Sequence, residues 1–248
     1  MIMKNFKLTI EYDGTGYHGW QIQNNDISIQ ETIETALSTM TKEKIRLHAS
    51  GRTDAGVHAL GQVANFKTES KITADAFFAG LNSLLPDDIV ITACETVEDD
   101  FHARFSAKIK TYQYRIFNHR VPIAVGRQYA WHIRKKLDVT AMQQAVAHII
   151  GTHDFKSFEG TGSPRAHTIR TVITAEVAEK NNGYLIFEIT ANGFLRYMVR
   201  NLMGTLVNVG LAKTSPEEFK QILEAKNRNL AGATAPPQGL FLVQVSYE

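Results

Sequence analysis

The chain has 248 residues, 44% of them hydrophobic and 21% charged, which is ordinary for a soluble globular protein and long enough for one large core or two smaller ones. Its single cysteine, Cys94, excludes an internal disulfide and matches no metal-ligand spacing, so a reducing compartment and a buried structural thiol are expected. Net charge is only +2, from 27 Lys and Arg against 25 Asp and Glu, and the total points to no particular partner.

The first residues lead into an alternating pattern without the apolar core of a signal peptide, and no apolar stretch approaches membrane-spanning length. A cytoplasmic protein with no membrane partner is expected. Phe6, Leu8, Ile10 and Tyr12 alternate as a half-buried strand does. Ser28 with Glu31 gives a capping-box signal, and Ile29, Ile33, Ala36, Leu37 and Met40 then recur at helical spacing. Residues 45–50 and 62–67 read as strands joined by a glycine-bounded loop. Thr73 caps a second predicted helix with Phe77, Phe78, Leu81 and Leu84 on its apolar side, Pro86 ends it, and residues 88–96 close the unit as a strand. The order is βαββαβ.

The same order is predicted again further along. A strand over 110–117 precedes a helix over 139–150, capped by Asp138 and stopped by Gly151. Strands over 169–178 and 184–190 meet at Asn181-Asn182-Gly183, a strong hairpin signal. A helix over 194–209, a short one opened by Ser215-Pro216-Glu217-Glu218, and a strand over 239–247 complete the chain. The fold class expected is α+β: two tandem ferredoxin-like (βαββαβ) halves, 1–105 and 106–248. They would form a continuous, mainly antiparallel sheet with helices on one face and a catalytic cleft between the halves. The irregular stretches 120–128, 153–167 and 229–238 are long for compact connections and are candidate lids or substrate clamps.

Charge is unevenly spread. From Arg104 to Lys136 the charged residues are Arg104, Lys108, Lys110, Arg115, Arg120, Arg127, Arg134, Lys135 and Lys136, with no Asp or Glu among them. Phe105, Tyr112, Tyr114, Phe117, Tyr129 and Trp131 interleave them, and an acid-free basic segment carrying stackable rings is the composition of a nucleic-acid surface.

The segment Gly51-Arg52-Thr53-Asp54-Ala55-Gly56-Val57-His58 frames a carboxylate beside a guanidinium with two glycines, so it reads as a tight loop that presents Asp54. Alone it would equally describe a polar turn. No Walker loop, dinucleotide fingerprint, zinc-deaminase motif or Gly-x-Ser-x-Gly elbow occurs, and His58, His102, His153 and His167 have no ligand spacing. No metal and no cofactor are expected. A second cluster, Phe194-Leu195-Arg196-Tyr197-Met198-Val199-Arg200-Asn201, puts Arg200 on a helix whose other turns are apolar. A guanidinium there needs a partner, most naturally a carboxylate from the other half.

Residues 51–59 (Gly-Arg-Thr-Asp-Ala-Gly-Val-His-Ala), 101–107 (Phe-His-Ala-Arg-Phe-Ser-Ala), 110–116 (Lys-Thr-Tyr-Gln-Tyr-Arg-Ile), 154–158 (Asp-Phe-Lys-Ser-Phe), 194–201 and 239–243 (Gly-Leu-Phe-Leu-Val) resemble, in order, the motifs of the tRNA pseudouridine synthase A (TruA) family. The resemblance spans nearly the whole chain. It implies a homodimeric enzyme that isomerises uridine to pseudouridine at positions 38, 39 and 40 of the tRNA anticodon stem-loop, without cofactor or metal. It implies Asp54 as nucleophile, Arg52 assisting extrusion of the target nucleotide, Tyr112 contacting the flipped base, Arg200 pairing with Asp54, and Leu240 lining the pocket. Arg115 is expected on the RNA-binding surface with Arg120, Arg127, Arg134 and Lys135. Where the family often has histidines before Met198, this chain has Arg196-Tyr197.

The chemistry asks for the same residue types. Remaking a C–N glycosidic bond as C–C requires the base to leave the stack, rotate and return, so an anion, a stacking ring and a closed pocket are needed. An Asp held by an arginine stays ionised and aimed. Attack on the uracil ring, attack on the ribose and proton abstraction through a glycal all remain open to it. The rival expectation from another class is an RNA-binding module of tandem ferredoxin-like halves without turnover, in which Asp54 is a turn residue.

Overall fold

The computed structural model describes residues 3–160, 162 and 167–248. They fold as an α+β protein in two compact units, Met1–Lys108 with Phe241–Glu248, and Ile109–Leu240.

In the first unit, β1 (Lys4–Tyr12) turns Phe6, Leu8, Ile10 and Tyr12 inward, as alternation requires. Helix α1 (Ile29–Thr41) starts where Ser28 Oγ accepts the Glu31 N–H at 3.3 Å, and buries Ile29, Ile33, Ala36 and Leu37. The second strand is much shorter than 45–50: only β2 (His48–Ala49) pairs. The Leu47 N–H donates to Glu34 Oε1 at 2.9 Å, which takes it off the ladder, while Ile45 and Leu47 sink into the core. β3 (His58–Thr68) is longer than expected and lies antiparallel to β1 and β2.

Helix α2 (Ala74–Leu84) is capped by Thr73 and buries Phe77 and Leu81. Phe78 and Leu84, expected on the same face, are exposed, because two residues four apart suffice for so short a helix and the stripe is narrow. β4 (Ile89–Val97) pairs antiparallel with β1, giving the order β4-β1-β3-β2. The Phe6, Phe66 and Phe77 rings meet at centroid distances of 5.0–5.5 Å at the centre of this core. Cys94 is half-buried, and burial followed by the neighbouring Glu95 charge pushes its thiol up to about 12. The chain's last strand, Leu240–Ser246, runs parallel to the start of β3 through Phe241↔His58 and Leu242↔Ala59, and Phe241–Glu248 belong to this unit.

The second unit holds β5 (Ile109–Asn118), β6 (Trp131–Ile133), α3 (Val139–Ala147), β7 (Gly151–Asp154), β8 (Ile169–Glu179), β9 (Tyr184–Ala191), α4 (Met198–Gly210) and α5 (Pro216–Glu224). β5, β9, β8 and β7 are antiparallel neighbours in that order, and β6 adds to β5 in parallel. Asn182 (φ 64°) and Gly183 (φ 81°) make the β8–β9 turn as their sequence demands. α3 ends three residues early. α4 starts four residues late, because Tyr197 stands at φ 60° and breaks the helical run before Met198. Ser215 and Glu218 complete a reciprocal capping box at 3.1 and 2.7 Å, with Pro216 opening α5. No helix among the described residues is long and apolar enough to cross a membrane.

Candidate active site

The loop carrying Asp54 is fixed from several sides within the first unit. The Val57 N–H donates to the Asp54 carbonyl at 3.1 Å, and Gly56 takes φ 74°, so residues 54–57 form a tight turn that leaves Asp54 half-buried and Arg52 exposed. The Trp20 N–H donates to the Thr53 carbonyl at 3.1 Å and the Gly56 N–H to the Tyr17 carbonyl at 3.3 Å, laying residues 14–20 along it. Two glycines permit this approach. A Cβ on Gly14 would stand 2.1 Å from the Val57 carbonyl oxygen, and one on Gly19, itself at φ 89°, 2.7 Å from that of Thr53.

Behind the loop lies a buried polar group. The Tyr12 hydroxyl meets Thr53 Oγ1 at 2.7 Å, Gln62 Nε2 donates to the Gly51 carbonyl at 2.9 Å, and Ser50 Oγ donates to Gln62 Oε1 at 2.7 Å. Burial pushes the Tyr12 hydroxyl up to about 12, so it stays protonated. His58 is buried and accepts the Gly14 N–H at 3.1 Å through Nδ1, with its ring stacked on Phe241 at 4.7 Å. Of these partners the sequence signals only the glycines, through Gly14, Gly16 and Gly19 ahead of Trp20. Tyr12 and Gln62 read as ordinary strand residues.

The second unit holds the remaining site residues. Arg200 is half-buried in the first turn of α4; its Nε donates to the Ala235 carbonyl at 2.8 Å, the Ala235 N–H returns to the Arg200 carbonyl at 3.0 Å, and its guanidinium lies 5.1 Å from the Tyr197 ring centroid. The segment opposite it, expected as a lid or clamp over 229–238, is a docked strap. Fully buried Asn201 accepts from Arg228 at 3.0 Å and Thr234 at 2.6 Å and donates to the Phe158 carbonyl at 2.9 Å. The Gly232 N–H donates to Thr205 at 2.9 Å, and Tyr114 donates to the Pro236 carbonyl at 2.7 Å. The strap leads into Leu240, 6% exposed.

The stretch 153–167 is anchored at both ends. Asp154 bonds Thr168 and pairs with Lys226 at 3.2 Å, and the Gly160 N–H donates to the Arg196 carbonyl at 2.8 Å. Residues 161 and 163–166 of that stretch lie outside the described residues.

Tyr112 is 9% exposed and meets Phe194 edge-on at 4.9 Å, on the same buried side of β5 as Tyr114 and Ile116. Arg115 does not join it. The two are an odd number of residues apart on one strand, so they point to opposite faces. Arg115 Nε donates to Gln113 Oε1 at 2.8 Å beside a cavity of about 690 Å³ lined also by Tyr129, Lys180 and Tyr184. Burial lowers its guanidinium from the usual value.

Of the basic residues between 104 and 136, Arg104, Lys108, Arg120, Arg127, Arg134, Lys135 and Lys136 are exposed and have no ion pair among the described residues. Phe105 is 75% exposed, with the Arg104 guanidinium 5.5 Å from its ring. Also among the described residues, no three His, Cys, Asp or Glu side chains gather as a metal cage would require.

Comparison with known proteins identifies the family of the chain. The family model described as tRNA pseudouridine synthase matches residues 8–106 and 145–248. The chain is 49% identical to the tRNA pseudouridine synthase A of Thermoanaerobacter sp. strain X514 and 50% identical to that of Caldicellulosiruptor bescii, each over 99% of this chain and 100% of the relative. That of Acetivibrio thermocellus is 49% identical over the same shares. A solved archaeal box H/ACA sRNP Nop10–Cbf5 complex gives 10% identity and a TM-score of 0.37 over 82% of this chain and 44% of that one, too remote to bear on the fold. With its model matched along most of the length and full-length relatives near half-identical, the chain belongs to the tRNA pseudouridine synthase family.

Proposed function

We propose that this chain converts uridine to pseudouridine at positions 38, 39 and 40 of the tRNA anticodon stem-loop, with Asp54 as its catalytic carboxylate. The isomerase activity on tRNA is that of its family; the positions and the residue roles are the further step. The observation that carries the Asp54 assignment is the loop itself. A half-buried carboxylate is held on a turn whose backbone is bonded on one side by Trp20 and Tyr17 and on the other by Gln62. Such restraint is unnecessary for a polar turn and is what a group needs if it must meet one atom of a flipped nucleotide.

The reaction breaks the bond from ribose C1′ to uracil N1 and forms one from C1′ to C5; the C5 proton leaves and N1 gains one, so no net oxidation occurs. Asp54 serves as nucleophile or as base. Arg200 pairs with it, a planar fork fixing the direction of both carboxylate oxygens. Arg52, exposed on the same loop as Asp54, assists extrusion of the target nucleotide; Tyr112 contacts the flipped base and Leu240 lines the pocket. The exposed, unpaired cations of the 104–136 segment hold RNA phosphates, with Arg115 contributing from the opposite face of β5 to Tyr112.

Tandem ferredoxin-like halves flanking a catalytic cleft, a homodimer and a cytoplasmic location belong to the same proposal. The antiparallel order β4-β1-β3-β2 with βαββαβ connectivity in the first unit supports the first of these. Incubating the protein with unmodified tRNA and mapping pseudouridine by sequence position tests the proposal. Product confined to 38–40 supports it; product elsewhere overturns the site preference, and RNA binding without product would return the non-catalytic module.

A further inference from the structure

Among the buried groups of the first unit that are bonded to the catalytic loop is the Tyr12 hydroxyl. Tyr12 ends β1, where the pairing with β3 slips between Ile10↔Gln62 and Tyr12↔Ala59. The extra residue lies on the β3 side, so Tyr12 keeps the inward direction that the alternation of β1 gives it. The ring is 2% exposed and lies 6.1 Å from that of Trp20, whose own N–H holds the Thr53 carbonyl. Its hydroxyl meets Thr53 Oγ1 at 2.7 Å, and the buried Gln62 holds the Gly51 carbonyl of the same loop at 2.9 Å. Thr53 directly precedes Asp54.

We infer that Tyr12 is a positioning residue for the isomerisation: through Thr53, and with Gln62 gripping Gly51, its hydroxyl fixes the direction in which the Asp54 loop presents its carboxylate. Core packing alone would ask only for the ring. A hydroxyl that is kept in the core must be hydrogen-bonded, and here its partner, Thr53, sits on the loop rather than elsewhere in the sheet. Because the contact is to a side chain next to the carboxylate, losing it lets the turn shift without unfolding the strand. Displacement of a reacting group by about 1 Å costs on the order of 10²-fold in rate.

The inference rests on Asp54 being the catalytic carboxylate. Its test is Tyr12→Phe, which keeps the ring, assayed by single-turnover product formation on tRNA alongside tRNA affinity and thermal unfolding. The rate constant should fall roughly 10- to 100-fold while affinity stays within about twofold. Thr53→Val should fall as far, Thr53→Ser should recover most of the rate, and the Tyr12→Phe/Thr53→Val pair should be no slower than either single variant. A Tyr12→Phe rate within about twofold of wild type, even with a lowered unfolding temperature, would leave Tyr12 as packing only and overturn the inference. So would losses that multiply in the double variant. Asp54→Asn in the same assay separates the two claims: if it retains activity the Asp54 assignment fails, whereas an inactive Asp54→Asn with a fast Tyr12→Phe refutes positioning alone.

Discussion

Gly204→Ala sets two effects of opposite sign against each other. Glycine inside a helix costs about 1 kcal/mol relative to alanine, so propensity alone expects α4 to gain stability. The added Cβ, however, would stand 1.7 Å from the Ala233 carbonyl oxygen, and a Cβ on Gly232 would stand 2.8 Å from that of Gly204, so helix and strap are in backbone contact. Neither side can yield cheaply. The strap would have to retreat by more than 1 Å, straining the bonds from Gly232 to Thr205, from Thr234 to Asn201 and between Ala235 and Arg200 in both directions. At about 1 kcal/mol for each bond weakened, the loss outweighs the helix gain by roughly 1–3 kcal/mol. Chemical denaturation should show that loss as a lower midpoint with an unchanged slope. Turnover should fall about 10²-fold, because Arg200 loses the carbonyl that orients it. Equal or higher stability with wild-type turnover would show that the strap does not bear on α4 or on Arg200.

Tyr112→Ala should cripple turnover while Tyr112→Phe retains base contact but relays no proton; normal turnover by the alanine variant would make Tyr112 a core residue only. Arg200→Lys should lower the rate strongly with the fold intact, since a point charge cannot reproduce the fork, and Arg200→Leu should abolish activity at a stability cost of only about 1 kcal/mol, that of the lost bond to the Ala235 carbonyl. Affinity for tRNA should fall steeply with salt, and replacing Arg134, Lys135 and Lys136 with alanine should flatten the log–log slope by roughly 2 as phosphate contacts are lost. An unchanged slope would move the docking face off this segment.

Much of the fold is legible in residues whose local chemistry leaves little choice: the alternation from Phe6 to Tyr12, the caps at Ser28, Thr73, Asp138 and Ser215, and the Asn182-Gly183 turn. What failed was decided by tertiary partners. Residues 45–50 have strand composition, yet Glu34 captures the Leu47 N–H. The apolar run from Phe194 looks helical, yet Tyr197 adopts a left-handed conformation and Phe194 turns to Tyr112. β6 and β7 are too short to show a period. Arg115 and Tyr112 share one basic, aromatic stretch, yet the two-residue period of a strand sends them to opposite faces. In the candidate site, Asp54 is visible through its glycines, but Tyr12 and Gln62 are not, since each looks like any other inward residue of its strand.

The most direct measurement is tritium release from [5-³H]uridine-labelled tRNA by Asp54→Asn, with Asp54→Ala beside it to exclude deamidation back to aspartate. Loss of the C5 proton makes the label a counter of completed isomerisations. With Asp54 as the catalytic carboxylate, the rate should fall by about 10⁴ or more in both variants while tRNA affinity is nearly unchanged. Turnover by Asp54→Ala within tenfold of wild type would contradict it.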